Sequence, residues 1–426
     1  MNLNKSKKIF SQAKEIIPSQ SQTFSKNWTQ YPFGTSPIFS LRANGQYIWD
    51  VDNNKYIDWP MALGPLILGH NYKALNDGLK SQLDRGIAFS LPNKLEVVVA
   101  DQLINWFNCF DKVRFGKNGS DVTSAAVRAA RAITSREHIL SSGYHGWQDW
   151  FIGSTSRSKG VPKNVKKLIH TFEYNNISSL EILLRKHKGK VAAIIMEPVG
   201  LIKPEKNFLR KVRELATKNK CLLIFDECWT CFRLHEKGSI GIYNVIPDML
   251  CIGKALGNGI PISAVLGKKR VMKVFEDIFF SFTFGGDVLG LSAANNVLKI
   301  IKKESVIKHI EEIGTSLIKG INDLIELFDL NKYISIKGYP GRNALFFVND
   351  NHNGLLLKSI LQETSIRNGV LSAAWHAPSF SHNLKDVEYT LDTYEKAFKK
   401  IKVGLENNSL RKTLKGEIVK EVFRKI

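Results

Sequence analysis

Three short apolar runs in the middle of this chain constrain its fold more than any other feature. They are Val191–Met196, Cys221–Phe225 and Met249–Ile252, and the segment between the first two, Asn207–Lys218, has apolar residues at helical spacing. From about residue 65 to residue 320 the chain continues to alternate between helical and strand patterns. This alternation is typical of a mostly parallel sheet that is covered by helices. The sequence therefore predicts an α/β fold.

An ionisable residue follows each of these predicted strands. Glu197 comes directly after the first strand, Asp226 after the second, and Lys254 follows the third behind a glycine. In parallel α/β sheets, ligands bind outside the carboxyl ends of the strands. We therefore expect these side chains to belong to one active site.

The segments on either side of this alternation have a different character. Lys5–Ile17 predicts a helix that Pro18 stops, and Tyr47–Asp58 predicts a hairpin of two aromatic-rich strands. Beyond about residue 325 the chain has short strands and amphipathic helices. We predict a large domain over residues 66–325, a small α+β domain over residues 326–426, and an N-terminal segment, residues 1–65, that packs with the small domain.

Composition excludes several classes of protein. The 426 residues are 43% hydrophobic and 23% charged, as in ordinary folded proteins, and no long apolar run or signal peptide is visible, so we expect no membrane partner. The five cysteines lack framework spacing, which predicts reduced thiols and a cytoplasmic location.

The net charge of +22 comes from basic residues that are spread through the chain. This distribution predicts a solvated surface, with attraction of anionic substrates as the alternative, and it argues against a nucleic-acid site. We predict no metal site.

A glycine-containing turn precedes an alanine-rich helix. Residues 116–121, Gly-Lys-Asn-Gly-Ser-Asp, follow the predicted strand Val113–Phe115 and open a helix predicted over Val122–Thr134. Ser120 or Asp121 is the expected cap, and the free N–H groups at a helix start favour an anion such as phosphate. A capped helix without a ligand is the alternative.

Lys254 needs a chemical explanation, because burying an ammonium group is costly unless the charge is paired or removed. An imine with an aldehyde cofactor removes the charge and gives the lysine a task. Pyridoxal phosphate (PLP) is such a cofactor, and its ring nitrogen stays protonated only beside a carboxylate, for which Asp226 is the candidate. The helix start at Gly119–Ser120 would hold its phosphate, and Tyr144 would stack on its ring.

At this point the sequence resembles a known family, the class III aminotransferases of PLP fold type I. The resemblance is close to glutamate-1-semialdehyde aminomutase, and closer still to the aminotransferases assigned to surface-polysaccharide sugars. It runs from roughly residue 20 to residue 400. The segments that carry it, in the family's order, are Tyr47–Asp58, Leu63–His70, Phe115–Arg136, Gly143–Gly153, Met196–Val199, Ile224–Arg233, Gly253–Gly259 and Ser281–Gly286.

The resemblance implies a homodimer with shared active sites and a role for each of several residues. Lys254 would be the lysine that binds the cofactor aldehyde and later carries a proton, and Asp226 would be the partner of the ring nitrogen. The other implied contacts with the cofactor are Gly119 and Ser120 at the phosphate, Tyr144 and His145 at the ring, Glu197 near the ring hydroxyl, Cys228 on the ring face, and Thr283 at the phosphate of the neighbouring subunit.

The chain departs from the family pattern at two places near the predicted ring. A small or β-branched residue is usual at position 228, where this chain has Cys228, and the usual Thr-Gly-Phe-Arg run is Thr-Cys-Phe-Arg over residues 230–233. The resulting Cys228–Cys231 spacing imitates a redox motif, but its strand context argues against redox or metal chemistry.

Substrate contacts are less constrained than cofactor contacts. Trp59, Trp147, Trp150 and Trp375 are candidates for stacking on a sugar, with core or dimer packing as the favoured alternative for each. Arg233 and Arg342 are candidates for gripping a carboxylate or a phosphate, with surface ion pairs as the alternative.

We expect an aminotransferase with an amino-acid donor, glutamate first among them, and a keto or aldehyde acceptor, a sugar derivative of surface-polysaccharide synthesis fitting best. The alternative is a 2,1-aminomutase of the glutamate-1-semialdehyde type. A basic binding protein on an inactive enzyme scaffold is the third hypothesis, which the joint presence of Lys254, Asp226 and the phosphate turn disfavours.

Overall fold

The computed structural model describes residues 1–348 and 354–421 of the chain. No helix in this described part is apolar over a length that would cross a membrane. The strands are β1 (Ser40–Asn44), β2 (Tyr47–Asp50), β3 (Lys55–Asp58), β4 (Lys112–Gly116), β5 (His138–Ser142), β6 (Ile169–Thr171), β7 (Val191–Met196), β8 (Leu222–Asp226), β9 (Met249–Ile252), β10 (Ser263–Gly267), β11 (Ile334–Tyr339), β12 (Arg342–Phe347), β13 (Val370–Leu371) and β14 (Trp375–His376). The helices are α1 (Asn4–Ile16), α2 (Lys73–Leu83), α3 (Lys94–Phe107), α4 (Gly119–Thr134), α5 (Asp149–Ile152), α6 (Lys163–Lys166), α7 (Ile177–Lys186), α8 (Phe208–Lys218), α9 (Gly238–Tyr243), α10 (Lys269–Met272), α11 (Val288–Lys303), α12 (Val306–Leu327), α13 (Gly354–Arg367), α14 (Leu384–Glu406) and α15 (Leu410–Thr413).

The described residues form two compact units. The first unit combines residues 1–72 with the described residues from 306 onward, and the second unit is Lys73–Ser305. These units begin and end at other residues than the predicted domains, since α12 groups with the first unit. The domain limits at residues 65/66 and 325/326 stay a prediction.

A seven-stranded sheet forms the centre of the second unit. Its strand order is β4-β10-β9-β8-β7-β5-β6. The pairs from β6 through β5, β7 and β8 to β9 are parallel, whereas β10 runs antiparallel to both β4 and β9. This confirms the prediction of a mostly parallel sheet.

The composition of the strands and of α4 explains this arrangement. All six residues of β7 are buried, as expected for a strand whose two faces are covered. Four of the five alanines of α4, Ala125, Ala126, Ala129 and Ala130, are almost fully buried in the same core as Ile195 and Ile224, whereas Ala132 is exposed. Small side chains let this helix lie close to the sheet.

The bounds of the predicted elements are close to those observed, with two corrections near the site. Asp226 is the last residue of β8 rather than the residue after it. The helix α4 begins at Gly119, so its N-cap is Asn118 and not Ser120 or Asp121. The Asp121 carboxylate instead accepts from the backbone N–H of Asn118 at 2.7 Å, which satisfies a donor before the helix.

The first unit is a smaller α+β assembly. Its four-stranded sheet has the order β1-β2-β3-β13, and a three-stranded sheet has the order β11-β12-β14. The predicted hairpin is confirmed, because β2 pairs antiparallel with β3. Apolar residues of α12, α13 and α14 form the core of this unit, among them Leu317, Leu361 and Phe398.

Candidate active site

A buried histidine–carboxylate pair lies at the carboxyl end of β8. His145 Nδ1 is 2.9 Å from Asp226 Oδ2, and both side chains are buried. The other oxygen of Asp226 accepts from the backbone N–H of Cys228 at 3.1 Å. His145 Nε2 is buried without a hydrogen-bond partner among the described residues. A buried polar atom of this kind is rare in folded proteins and calls for an explanation, of which a bound ligand is one.

Two glycines bring His145 to this place. The turn Gly143-Tyr144-His145-Gly146 has positive φ angles at both ends, 104° and 116°, which glycine adopts without strain. A Cβ on Gly146 would lie 2.5 Å from Cβ of Ser120, so this turn runs directly against the first turn of α4. The Thr123 hydroxyl donates to the His145 carbonyl at 2.7 Å and ties the turn to α4.

The start of α4 faces the same place. Ser120 is buried in the first turn of the helix, and a Cβ on Gly119 would lie 3.0 Å from Cys228 Sγ. The backbone of the helix start is therefore in close contact with the residues that follow β8. Free N–H groups at such a start attract an anion.

Glu197, at the end of β7, holds the other side of the turn. One of its carboxylate oxygens accepts from the backbone N–H of Tyr144 at 3.1 Å, and a Cβ on Gly143 would lie 2.8 Å from the same oxygen. The Tyr144 ring packs edge-on against Phe151, with 5.5 Å between ring centroids. Glu197 and the turn that carries Tyr144 and His145 are thus in direct contact.

Lys254 has a strained backbone and an aromatic neighbour. Its φ is +41°, in the left-handed region that residues other than glycine rarely adopt. Its ammonium nitrogen lies 5.3 Å from the centroid of the Trp229 ring, and the guanidinium carbon of Arg233 lies 5.5 Å from the same ring. Non-glycine residues in such a conformation cluster at functional sites. The sequence predicts Lys254 and Arg233 but did not single out Trp229.

Glu227 is a second residue that sequence reasoning assigned no role. It is fully buried and accepts hydrogen bonds from the backbone N–H and hydroxyl of Ser239 and from the hydroxyl of Thr230. Burial raises the pKa of Glu227 to about 7, against the lowering effect of these hydrogen bonds. Its adjacency to Asp226 was the available signal, but its partner Ser239 lies twelve residues away.

The Cys228 and Cys231 thiols are both free. Burial raises the pKa of each thiol well above its ordinary value. The thiolate is the nucleophile and metal ligand, so this environment disfavours both kinds of chemistry. Cys228 instead packs between the start of α4 and Gly253, whose Cβ would lie 3.7 Å from Cys228 Sγ.

Three predicted residues lie elsewhere. Thr283 is exposed on a segment of the second unit. Lys117, in the turn before α4, forms an ion pair with Asp287, which caps α11 four residues after Thr283. Arg342 begins β12 in the first unit. Trp59, also in the first unit, is fully buried. Its ring stacks on that of His382 with 4.3 Å between centroids, and its indole N–H donates to the hydroxyl of Thr390. These contacts favour the packing alternative for this tryptophan.

The first unit contains a cavity of about 380 Å³. A bonded pair lines it, Asp58 Oδ2 with His70 Nε2 at 2.8 Å, together with Arg42 and the candidate Trp375. Both charged and aromatic groups therefore face this space, as in cavities that orient a small polar ligand.

Known proteins resemble this chain over most of its length. The aminotransferase class-III family matches residues 31–363. The glutamate-1-semialdehyde 2,1-aminomutase of Methanothrix thermoacetophila is 34% identical over 365 residues, which are 82% of this chain and 83% of that protein. The 3-aminobutyryl-CoA aminotransferase of Cloacimonas acidaminovorans is 30% identical over 414 residues, 94% of this chain and 98% of that protein. Among solved structures, the FumI protein of Sphingopyxis sp. MTA144 in its PLP internal aldimine form has a TM-score of 0.88 at 26% identity, covering 98% of this chain and 99% of that one.

Proposed function

This chain is a PLP-dependent enzyme of the class-III aminotransferase family with the type I fold, and from that premise we propose that it moves an amino group from an amino-acid donor to a keto or aldehyde acceptor. Glutamate is the proposed donor, and a sugar derivative of surface-polysaccharide synthesis is the proposed acceptor. The observation that carries the proposal is the buried His145–Asp226 pair beside the start of α4.

The residues present fit the cofactor. When bound, PLP supplies an aldehyde that accepts an amino group and a ring that withdraws electrons from the substrate carbon. The start of α4, at Gly119 and Ser120, lies against Cys228 and Gly146, and its backbone N–H groups would hold the phosphate together with Ser120. Tyr144 would contact the ring, and Glu197 would orient the turn that carries Tyr144.

Asp226 would hold a proton on the ring nitrogen. The Cys228 N–H and His145 already hold its carboxylate in place. Binding of the cofactor would therefore require no reorientation of Asp226. His145 would act as a positioning residue, because its ring holds the Asp226 carboxylate in the orientation that faces the cofactor ring. Lys254 would bind the cofactor covalently and, once released, move a proton to and from the substrate carbon with its amine.

Arg233 and the exposed Trp147 support the choice of substrates. The buried Arg233 lies over the same indole ring as Lys254, so its guanidinium is placed to attract the carboxylate of an amino-acid donor. Trp147, two residues after His145, is 70% exposed, and an exposed indole is the surface on which a sugar ring stacks. Arg342 remains a second candidate for binding an anionic substrate group.

We also propose a homodimer with shared active sites, in which Thr283 reaches the phosphate of the neighbouring subunit. Phe279 and Phe284, on the segment that carries Thr283, are 77% and 62% exposed. Exposed aromatic side chains this close together are typical of an interface. The free cysteines support a cytoplasmic location for this enzyme.

The second candidate function is a 2,1-aminomutase, because relatives 33–35% identical to this chain carry that name. The two activities differ in what happens to the amino group. A transferase must release its first keto product before it meets the acceptor. A mutase returns the amino group to the same molecule and needs no external donor.

The PLP-loaded enzyme should therefore release about one 2-oxoglutarate per subunit from glutamate alone, without any acceptor. A panel of other amino donors run in parallel would identify the donor class. Borohydride reduction should trap the cofactor on a peptide that contains Lys254, and the K254A variant should release no 2-oxoglutarate beyond background.

Release of no keto acid by any donor, combined with isomerisation of an amino aldehyde, would establish the mutase instead. A trapped peptide containing a different lysine would overturn the assignment of Lys254 while leaving the reaction class open to the donor test.

A further inference from the structure

Three histidines lie together at the end of the seven-stranded sheet opposite the candidate active site. His138 is the first residue of β5, His170 lies in β6, and His187 caps the end of α7 before β7. The active-site residues follow the carboxyl ends of β7, β8 and β9, whereas this cluster lies where β5 and β7 begin. We call His138, His170 and His187 the histidine cluster.

The rings of the histidine cluster are in direct contact. His138 Nδ1 is 2.9 Å from His170 Nε2, and the two rings are inclined by only 16° with 5.1 Å between centroids, which describes an edge-to-edge hydrogen-bonded pair. The His187 ring lies over both, 4.5 Å and 4.0 Å from their centroids. Each residue offers one nitrogen, and these three nitrogens lie within 4.8 Å of one another.

One of these rings has a nitrogen that the protein does not satisfy. His187 Nε2 is buried and has no hydrogen-bond partner within the part of the chain that is described. Leaving such an atom without a partner costs free energy, and a bound ion is one way to recover it.

We propose that His138, His170 and His187 bind one divalent transition-metal ion, with Zn²⁺ as the ion that fits best. Imidazole nitrogen is a preferred ligand of Zn²⁺, at about 2.0–2.1 Å from the ion. Nitrogens around a tetrahedral ion at that distance are about 3.4 Å apart. To reach this spacing from the present one, in which the nitrogens lie within 4.8 Å, the ion would require a rotation of the His187 ring and a small opening of the His138–His170 pair.

The protonation state of the cluster suits a metal. Burial lowers the pKa of His170 to about 4, and it also lowers the pKa of His138 and of His187, so the rings are neutral near pH 7. In the neutral His138–His170 pair one nitrogen carries the shared proton. A shift of that ring to its other tautomer frees the nitrogen for the ion without loss of a proton to solvent.

The charges around the cluster select the kind of ion. Lys186, Lys190 and Arg131 face these rings and oppose any cation, and Glu137 is the acidic group that offsets them. Hard cations such as Mg²⁺ and Ca²⁺ prefer oxygen ligands and have little to gain here. Ions that form strong bonds to nitrogen, Zn²⁺ among them, overcome this field.

The bound ion would tie β5, β6 and the end of α7 together, and the open fourth position would hold water. No short sequence motif joins the three ligands, since two lie on strands and the third at a helix end. This explains why the sequence predicts no metal site. The proposal is independent of the reaction that the active site performs.

The test is Zn²⁺ binding to the metal-stripped, PLP-loaded enzyme, measured by titration calorimetry and by thermal unfolding. We expect one ion per subunit and a rise in melting temperature that saturates with Zn²⁺. H170Q and H187Q should each weaken this binding by at least about tenfold. H309Q is the matched control, because His309 is a half-buried histidine outside the cluster, and its binding should equal that of the wild type.

Anomalous diffraction from Zn²⁺-soaked crystals, recorded on both sides of the zinc absorption edge, locates the ion without any variant. We expect a peak between the three imidazole rings. A peak elsewhere alone, the absence of a peak, or Zn²⁺ binding that is unchanged in both H170Q and H187Q would overturn the proposal.

Discussion

The two ends of the seven-stranded sheet both hold histidines, but the groups that face these histidines differ. At the carboxyl end His145 Nδ1 meets the Asp226 carboxylate, whereas at the amino end His138 Nδ1 meets another imidazole, that of His170. The Asp226 carboxylate offers only oxygen atoms to this ring and holds it through Nδ1. Two imidazoles can exchange donor and acceptor. The first arrangement positions a group, and the second leaves a nitrogen available to a ligand.

The surroundings of the histidines also differ between the two ends of the sheet. At the carboxyl end the backbone is in close contact, because a Cβ on Gly146 would lie 2.5 Å from Ser120 Cβ and one on Gly119 would lie 3.0 Å from Cys228 Sγ. At the amino end exposed lysines, Lys186 and Lys190, border the rings. Burial favours the neutral form at both ends, lowering the pKa of His170 and raising that of Glu227. The difference therefore lies in the partners and in the backbone rather than in the degree of burial.

Replacing a carboxylate at each end of the sheet gives the largest expected difference in kcat/KM. We expect D226N to lower kcat/KM by about 10²–10⁴-fold, because the amide cannot hold a proton on the ring nitrogen as a carboxylate does. Asp248 precedes β9 at the amino end and forms an ion pair with Arg213 at 2.7 Å. D248N should reduce stability and leave kcat/KM within about threefold of the wild type.

Steady-state kinetics at saturating PLP, with cofactor content confirmed by absorbance, measures this contrast. Near-native turnover by D226N would refute its assigned role. An equal loss in D248N would show that the two ends are coupled through stability rather than separated in function.

The buried Glu227 gives an effect of intermediate size, on stability instead of turnover. Burial raises its pKa from 4.5 to about 7 in the folded chain. Between these values the folded chain binds more protons here than the unfolded chain, so the free energy of unfolding falls as the pH rises. We expect this contribution to be about 2–3 kcal/mol between pH 5 and pH 8.

Chemical denaturation of wild type and E227Q at both pH values measures this contribution. The loss of stability between pH 5 and pH 8 should be smaller in E227Q by that amount, because glutamine does not titrate and its amide can still bond to Ser239 and Thr230. E326Q, at an exposed glutamate, serves as the control and should follow the wild type. Equal pH dependence in wild type and E227Q would show that Glu227 is ionised throughout this range.

Sequence reasoning was most informative where a buried strand ends. An apolar run is a local signal, and the predicted bounds of β7 and β9 equal the observed ones. For β8 the prediction differs by one residue, because Asp226 is the last residue of the strand and not the residue after it. The roles assigned to Lys254, Asp226 and the other site residues stay predictions. What the structure adds is their neighbours, such as Trp229 beside Lys254 and Glu197 beneath Tyr144.

Features that depend on distant partners were not predictable in the same way. The network of Glu227 depends on Ser239, and the histidine cluster joins residues from two strands and a helix end. Trp59 had two open interpretations, and only the packing of His382 and Thr390 around it favours one of them. Contacts between residues distant in the sequence determine these features, and the periodicity of apolar residues along the chain does not predict such contacts.

The smallest expected effect isolates the close backbone contact at the carboxyl end. A Cβ on Gly146 would lie 2.5 Å from Ser120 Cβ and 2.9 Å from Ser120 Cα, so the G146A variant must move the turn away from α4. Gly160 also has a positive φ, 88°, but a Cβ there would meet nothing within 4 Å. G160A therefore carries the backbone strain alone, and the difference in stability between the two variants measures the contact.

We expect G146A to lose about 2 kcal/mol more of the free energy of unfolding than G160A, as measured with denaturant. We also expect G146A to bind PLP more weakly, while G160A binds it normally. Because His145 adjoins Gly146, near-UV circular dichroism of bound PLP should change in G146A only. Equal losses in both variants would mean that positive φ, and not the approach of this turn to the start of α4, sets the cost at the carboxyl end.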